Sequence, residues 1–287
     1  MPSTSTQTFR NISDTAIWAA LYRARETERE DALFRDPLAA RLAGERGVAI
    51  ASAMRSHDRY AWAWVLRTVL FDQYLSELLA QGADCVVNLA AGLDARPYRM
   101  ALPANLHWVE VDLPGILDYK EELLGDERPV CRLERVRLDL ADVGARRALF
   151  ARLKGESHRA VILTEGLLIY LTPAEAAALA QDLAAPAPFR HWILDIASPG
   201  LLRLLQKEVG KDLNAAGAPL KFAPAEGPRF FEPHGWRVAA VRSPLKEAAR
   251  YKRVPLWMRL VARFPEPTGP MRSRIWSGIC RLDRNQG

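Results

Sequence analysis

Apolar and polar positions divide the chain into two rhythms. From Asp14 to about Leu79, apolar residues recur at helical spacing, in TAIWAALYRARETE and again in YAWAWVLRTVLFDQYLSELL, which predicts helices. Between them, FRDPLAARLAGERG places Pro37 where a helix can open and Gly44 and Gly47 where one can close. From Ala83 the rhythm changes. Short apolar runs, CVVNL (85–89), HWVEV (107–111), RLERVRL (132–138), AVILTE (160–165) and WILDI (192–196), predict strands, and residues 115–124, 144–154 and 173–184 predict the helices between them. The last helix has Thr172 as its N-cap, Pro173 at its first position and Glu175 in its first turn.

Such alternation predicts an α/β fold, a mostly parallel sheet with helices on both faces. WRVAAV (236–241) and IWSGICRL (275–282) read as closing strands, which brings the sheet to seven. The whole chain, 1–287, is expected to form one domain: a helical N-terminal extension over 1–80 and a ligand-binding core over 83–198. Two insertions, 199–235 and 243–272, stand where helical caps over the carboxyl ends of the strands could be built.

Composition narrows the class. With 49% hydrophobic and 26% charged residues the chain has ordinary globular balance. No apolar run approaches the roughly 18 residues of a membrane span, so no membrane partner is expected. The polar start MPSTSTQTFRNISDTA lacks the apolar centre of a secretory signal. Cys85, Cys131 and Cys280 form neither a CxxC pair nor a Cys/His cluster. The expectation is buried thiols in a reducing cytoplasm, with no disulfide framework and no metal. The net charge is +6, but the arginines are scattered along helices rather than gathered into a stripe, so no nucleic-acid partner is expected. A few of them could hold anionic groups of a small molecule.

In an open parallel sheet, ligands bind beyond the carboxyl ends of the strands, at the switch point beside the first strand. The residues that fall there are AAGLDAR after the first strand, Glu110-Val111-Asp112 at the second, Asp139-Leu140 at the third and Glu165-Gly166 at the fourth. Asp112 lies about twenty residues beyond Gly92, the spacing at which a carboxylate reaches a nucleoside ribose. A dinucleotide would require G-x-G-x-x-G for its pyrophosphate. Here the first and last glycines are missing, and Asp94 puts negative charge where the pyrophosphate would sit. S-adenosylmethionine, with a sulfonium, an ammonium group and no phosphate, suits that turn better.

VVNLAAGLDARPYR, VEVDLPGILDYKEELL, RLDLAD and TEGLLIYLTPAEA, in this order, resemble the leucine carboxyl methyltransferase family. They are most similar to its bacterial branch of tetracenomycin-type polyketide O-methyltransferases. YRARETEREDALFRDPLAARLAG and LRTVLFDQYL resemble that branch too, and the likeness covers roughly residues 13 to 240. It implies a class I, Rossmann-like methyltransferase fold and S-adenosylmethionine as cofactor. It further implies that Arg67 binds the methionine carboxylate, with Arg23 as a second basic group, and that Gly92 lies in the turn against the cofactor. Asp112 would be the ribose acid, with Leu113 beside it, Asp139 and Leu140 the pair at the adenine, and Glu165 the carboxylate near the ammonium group. Ala90 stands where many relatives have glycine. Asp94 and Arg96 also read as a buried ion pair that shapes the turn.

The implied reaction is O-methylation, in secondary-metabolite biosynthesis if the branch holds. A carboxylate acceptor is ionised at neutral pH and needs no base, whereas a phenol with a pKa near 10 benefits from one. His57, His191 and His234 are the candidate bases, with Tyr170 as a polar contact, and none stands at a motif position, so no catalytic residue is assigned. Trp62, Trp64, Phe222, Phe230, Phe231 and Trp257 fall in the segments expected to wall an acceptor pocket. The expected partner is a small molecule on an aromatic or polyketide-like skeleton, with at most a second copy of the chain as a homodimer. The alternatives are a protein C-terminal carboxyl methyltransferase and a nucleoside-binding protein without catalysis.

Overall fold

A computed structural model describes residues 8–265 and 270–285. Seven strands form one sheet: β1 (Cys85–Leu89), β2 (His107–Asp112), β3 (Arg132–Arg137), β4 (Ala160–Thr164), β5 (Phe189–Ala197), β6 (Trp236–Arg242) and β7 (Ser277–Arg284), in the order β3-β2-β1-β4-β5-β7-β6. The first five run parallel, and β7 lies antiparallel between β5 and β6. The order of strands reverses between β1 and β4, which opens a crevice at their carboxyl ends.

Alternation along the central strands explains the layers. Val87, Val109 and Ile162 face one way, onto Leu149, Phe150 and Leu153 of α6 (Val143–Glu156) and Leu179 and Leu183 of α7 (Pro173–Ala184). Val86, Trp108 and Val161 face the other way, onto Phe71, Tyr74 and Leu78 of α3 (Ala61–Ala80). The predicted residues 173–184 form α7 with a full capping box at Thr172 and Glu175. All three cysteines are buried free thiols, and burial pushes the Cys85 thiol up to about 12 and that of Cys131 to about 11.

A third core joins the N-terminal helices α1 (Asp14–Thr27) and α2 (Ala39–Ala53) to α5 (Pro114–Leu124). Of the two expected stops, Gly44 does break the helix: its φ of 51° and ψ of −165° are non-helical, so α2 is two helical segments joined at a kink, whereas Gly47 lies inside the second segment. A Cβ on Gly47 would sit 2.9 Å from the Ala43 Cβ and 3.4 Å from the Ile17 side chain, so this glycine serves close packing of α2 on α1. A four-residue helix, α4 (Arg96–Arg99), follows the turn after β1.

The two insertions go to different places. Residues 199–235 form α8 (Pro199–Glu208) and α9 (Gly210–Ala215), whose Leu202, Leu205, Val209 and Leu213 join the N-terminal core. Residues 243–265 form α10 (Pro244–Arg250) and α11 (Leu256–Val261), packed on α3 through Val65, Leu66 and Val69. No described helix is long and apolar enough to cross a membrane.

Candidate active site

The carboxyl ends of β1 to β4 open into a cavity of about 370 Å³. Arg23, Arg67, Ala90, Gly92, Asp112, Leu113, Asp139, Leu140 and Glu165 all line it, although they come from α1, α3 and four strand ends. Ile12, Thr15, Ala16 and Ala19 of α1 and its lead-in form the opposite wall. No described residue of 199–235 or 243–272 lines the cavity, so its described walls come from the sheet, the N-terminal helices and the segment after β4.

The turn after β1 is built for close approach. Ala90 and Gly92 have φ of 53° and 48°, and a Cβ on Gly92 would meet the Ala16 Cβ at 3.0 Å. Ala90 therefore adopts the left-handed conformation that glycine takes at less cost. The Asp112 carboxylate closes the turn by accepting from the Gly92 and Leu113 N–H groups, both at 2.7 Å. Burial pushes the Asp112 carboxyl up, and those two donors pull it back. The neighbouring Glu110 takes no part in the cavity: it is wholly buried and holds Lys120 at 2.7 Å and Arg135 at 3.0 Å. Asp139 accepts from Ala141 N–H at 2.9 Å, and Arg146, which also lines the cavity, donates to the Leu140 carbonyl at 2.7 Å.

Beneath the turn lies a chain of charges. The buried Arg96 donates to Asp94 (2.7 Å), Asp72 (2.6 Å) and Glu165 (2.8 Å). Asn88 also donates to Asp94, at 2.8 Å. Burial by itself would push the Asp94 carboxyl up; Arg96, with Lys120 and Arg99 behind it, overrides this and holds it well below the usual carboxylate range. Asp94 and Arg96 are thus the ion pair that shapes the turn. Arg99 grips Asp72 at 2.7 and 2.9 Å, and Arg23 donates to Asp36 at 2.8 Å and to the Leu93 carbonyl at 2.6 Å.

Arg67 reaches the same chain from α3. Its Nε donates to Glu165 at 3.1 Å, Asp195 of β5 lies 3.6 Å from Nη1, and its guanidinium stacks 4.5 Å from the centre of the Trp64 ring. Gly166, at φ 72°, passes so close that a Cβ there would lie 3.1 Å from the Arg67 Nη1. Its N–H donates to Asp195 at 2.7 Å. Burial pushes the Asp195 carboxyl up, and Arg67 opposes that. Asp36, Asp72 and Asp195 escape a sequence reading, although Asp195 in WILDI is one more strand-end acid that could have been found by position.

Two of the candidate bases are elsewhere. His191 pairs with Asp283 at 2.8 Å and His234 lies near Gln181; neither lines the cavity. The side chain of His57 falls outside the described residues. Tyr170 does line the cavity, and burial pushes its phenol up, away from proton exchange at neutral pH. Of the six aromatics, Trp64 alone lines it. Phe222 and Phe231 are core residues, Phe230 packs on them, Trp62 packs beside α10, and Trp257 is exposed. One group of metal-ligating type occurs among the described residues, His107, Glu134 and Glu156, and there Arg152 already spans both carboxylates.

Comparison with known proteins gives a consistent picture. Residues 16–184 match the profile of the leucine carboxyl methyltransferase family. A Streptomyces avermitilis protein provisionally described as an S-adenosyl-L-methionine-dependent methyltransferase is 34% identical over 251 residues, which cover 83% of this chain and 87% of that one. A Streptomyces coelicolor protein of the same provisional description is 40% identical over 169 residues, 55% of this chain and 59% of its own length. The crystal structure of a Thermobifida fusca protein provisionally assigned as a methyltransferase superposes with a TM-score of 0.62 over 99% of this chain and 98% of that one, at 16% identity, a likeness of fold.

Proposed function

From its membership of the leucine carboxyl methyltransferase family, as an S-adenosylmethionine-dependent methyltransferase, we propose that this chain methylates an oxygen of a small molecule, a carboxylic acid on an aromatic or polyketide-like skeleton. The observation that carries the reading is the convergence of four strand ends, Arg67 and Arg23 on one cavity roofed by α1.

The donor set suits S-adenosylmethionine. Asp112, fixed by two backbone donors, keeps lone pairs for ribose hydroxyls. Asp139 and Leu140, which also line the cavity, are assigned to the adenine, one to accept from its amino group and the other to pack on the ring. Arg67, whose guanidinium lies over the Trp64 ring, is assigned the methionine carboxylate, which a planar guanidinium can hold with two bonds, and Glu165 is assigned the ammonium group. The carboxylate of Asp94, tied to Arg96 and Asn88, makes the turn a poor seat for a pyrophosphate. When bound, S-adenosylmethionine supplies a methyl group already activated on a sulfonium. The protein's task is then to align an acceptor oxygen with that methyl and to exclude water.

Two features favour a small carboxylic acid. The wall formed by Ile12, Thr15, Ala16 and Ala19 bounds the site on the side opposite the strand ends, which gives a pocket of small-molecule dimensions. No described histidine lines the cavity, and an ionised carboxylate needs no base. The test uses S-adenosylmethionine with a labelled methyl group, incubated with a metabolite extract and with a protein extract. Label in alkali-labile, solvent-extractable esters is expected. Label in alkali-labile esters on protein would assign the family's other substrate class, and alkali-stable label in small molecules would assign a hydroxyl acceptor.

A further inference from the structure

Among the described residues, α11 is the α-helix without a single buried residue. Leu256 is 70% exposed, Trp257 66%, Leu260 50% and Val261 49%. At 100° per residue these four fall within an arc of about 140° on one side of the helix. The closing turn, with N–H groups of Arg263 and Phe264 donating to Leu260 and Val261, extends the stripe to Phe264, which is 71% exposed. The opposite side is the attachment: Met258 packs against the cluster of Val65, Leu66 and Val69. Large apolar side chains this exposed, side by side on one element, mark an interaction surface.

The rim of the stripe is cationic. Arg259 donates to the carbonyls of Val254 and Lys252, which fixes the helix start without neutralising the guanidinium. Lys252, Arg259 and Arg263 have no carboxylate partner among the described residues. Lys252 is held at φ 57° in the turn that leads into the helix. A protruding helix with tryptophan, phenylalanine and leucine on one face and unneutralised cations beside them has the chemistry of an element that lies in a membrane interface. We propose that α11 docks the enzyme on an anionic lipid surface, with Trp257, Leu260 and Phe264 entering the headgroup boundary and Lys252, Arg259 and Arg263 meeting anionic headgroups. Absence of a spanning segment bears only on crossing a bilayer, not on lying on one. A second copy of the chain fits the face less well, because like cations would be brought together.

The full chain is tested by flotation with vesicles of phosphatidylcholine alone and of phosphatidylcholine in which about one third is phosphatidylglycerol. The protein is expected to float with the anionic vesicles and much less with the neutral ones, and to lose that binding as salt rises. Replacing Trp257→Ser and Phe264→Ser together should weaken partitioning at least about tenfold, and Lys252→Gln with Arg263→Gln should abolish the preference for anionic lipid. These residues are exposed, so the variants should melt with the parent; Leu260→Gln is the alternative should the first pair melt early. Protein that stays at the bottom of every gradient, or an apolar variant that floats like the parent, overturns the proposal. A lipid-free dimer dispersed by Trp257→Ser in sedimentation would instead assign the face to a second copy, and also overturns it.

Discussion

Glu165 carries two guanidinium groups, Arg67 on one carboxylate oxygen and Arg96 on the other, so the two arginines are not equivalent. Arg96 is buried and bound by three carboxylates, a structural ion. Both line the cavity, but Arg67 is the more accessible, 18% exposed against 3% for Arg96, and lies over the Trp64 ring. Arg67→Ala should therefore weaken binding of S-adenosylhomocysteine by about 1.5–3 kcal/mol, the scale of a charge-assisted hydrogen bond. Arg67→Lys should restore part of that, since a point charge cannot grip a carboxylate with two parallel bonds; calorimetric titration reads both. Asp94 sets a pH dependence. Its folded-state carboxyl is held below the ordinary range, so its contribution to stability is full above that range and is lost as pH falls from there down through the lower folded-state value. Asp94→Asn should lower stability at neutral pH by about 3 kcal/mol, the lower end for breaking a buried pair because Arg96 keeps Asp72 and Glu165. It should also flatten the acid limb of the unfolding curve measured by chemical denaturation. The strand-end acids Asp112, Asp139 and Glu165 were legible in the sequence because a parallel sheet brings strand ends together. The partners of Arg96 were not, because Asp72 and Glu165 lie 24 and 69 positions away and meet only in the folded chain.

At the scale of elements, the strands and the helix over residues 173–184 could be read from periodicity, and their bounds agree with the structure to a few residues. Two features could not. Gly44 obeys its helix-stop signal and breaks α2 with a non-helical φ and ψ, but Gly47 carries the same signal inside the second segment, where tight contact with α1 outweighs glycine's low helix propensity. The place of β7, between β5 and β6, depends on pairing across the whole chain, which no local pattern encodes. The α1–α2 contact makes its own prediction. Gly47→Leu should force the helices apart and lower stability by roughly 1–3 kcal/mol. It should also weaken S-adenosylhomocysteine binding, because α1 forms one wall of the cavity. Gly166→Ala acts differently: positive φ and a Cβ 3.1 Å from the Arg67 Nη1 should disturb the arginine more than the fold. Its melting temperature should fall by a few degrees, as about 1 kcal/mol of strain implies, while its loss of ligand affinity approaches that of Arg67→Ala.

For the molecule as a whole, sheet, helical roof and cavity form a site that aligns reactants. With a carboxylic acid acceptor, the rate of the methyl-transfer step should stay nearly flat from about pH 6 to 9, a range in which the acceptor remains ionised. His191→Asn and His234→Asn should leave it unchanged, since neither residue lines the cavity. A rate that climbs through a pKa near 7 would reveal a base and move the acceptor to a hydroxyl. All of this stands on the claim that the crevice between β1 and β4 is shaped for a nucleoside bearing an amino acid rather than a pyrophosphate. Thermal unfolding with saturating S-adenosylhomocysteine or NAD tests that claim most directly, because a ligand that binds the folded state alone raises the melting temperature. A clear rise with S-adenosylhomocysteine, reduced in Arg67→Ala and absent with NAD, is the predicted result; a rise with NAD and none with S-adenosylhomocysteine would contradict it.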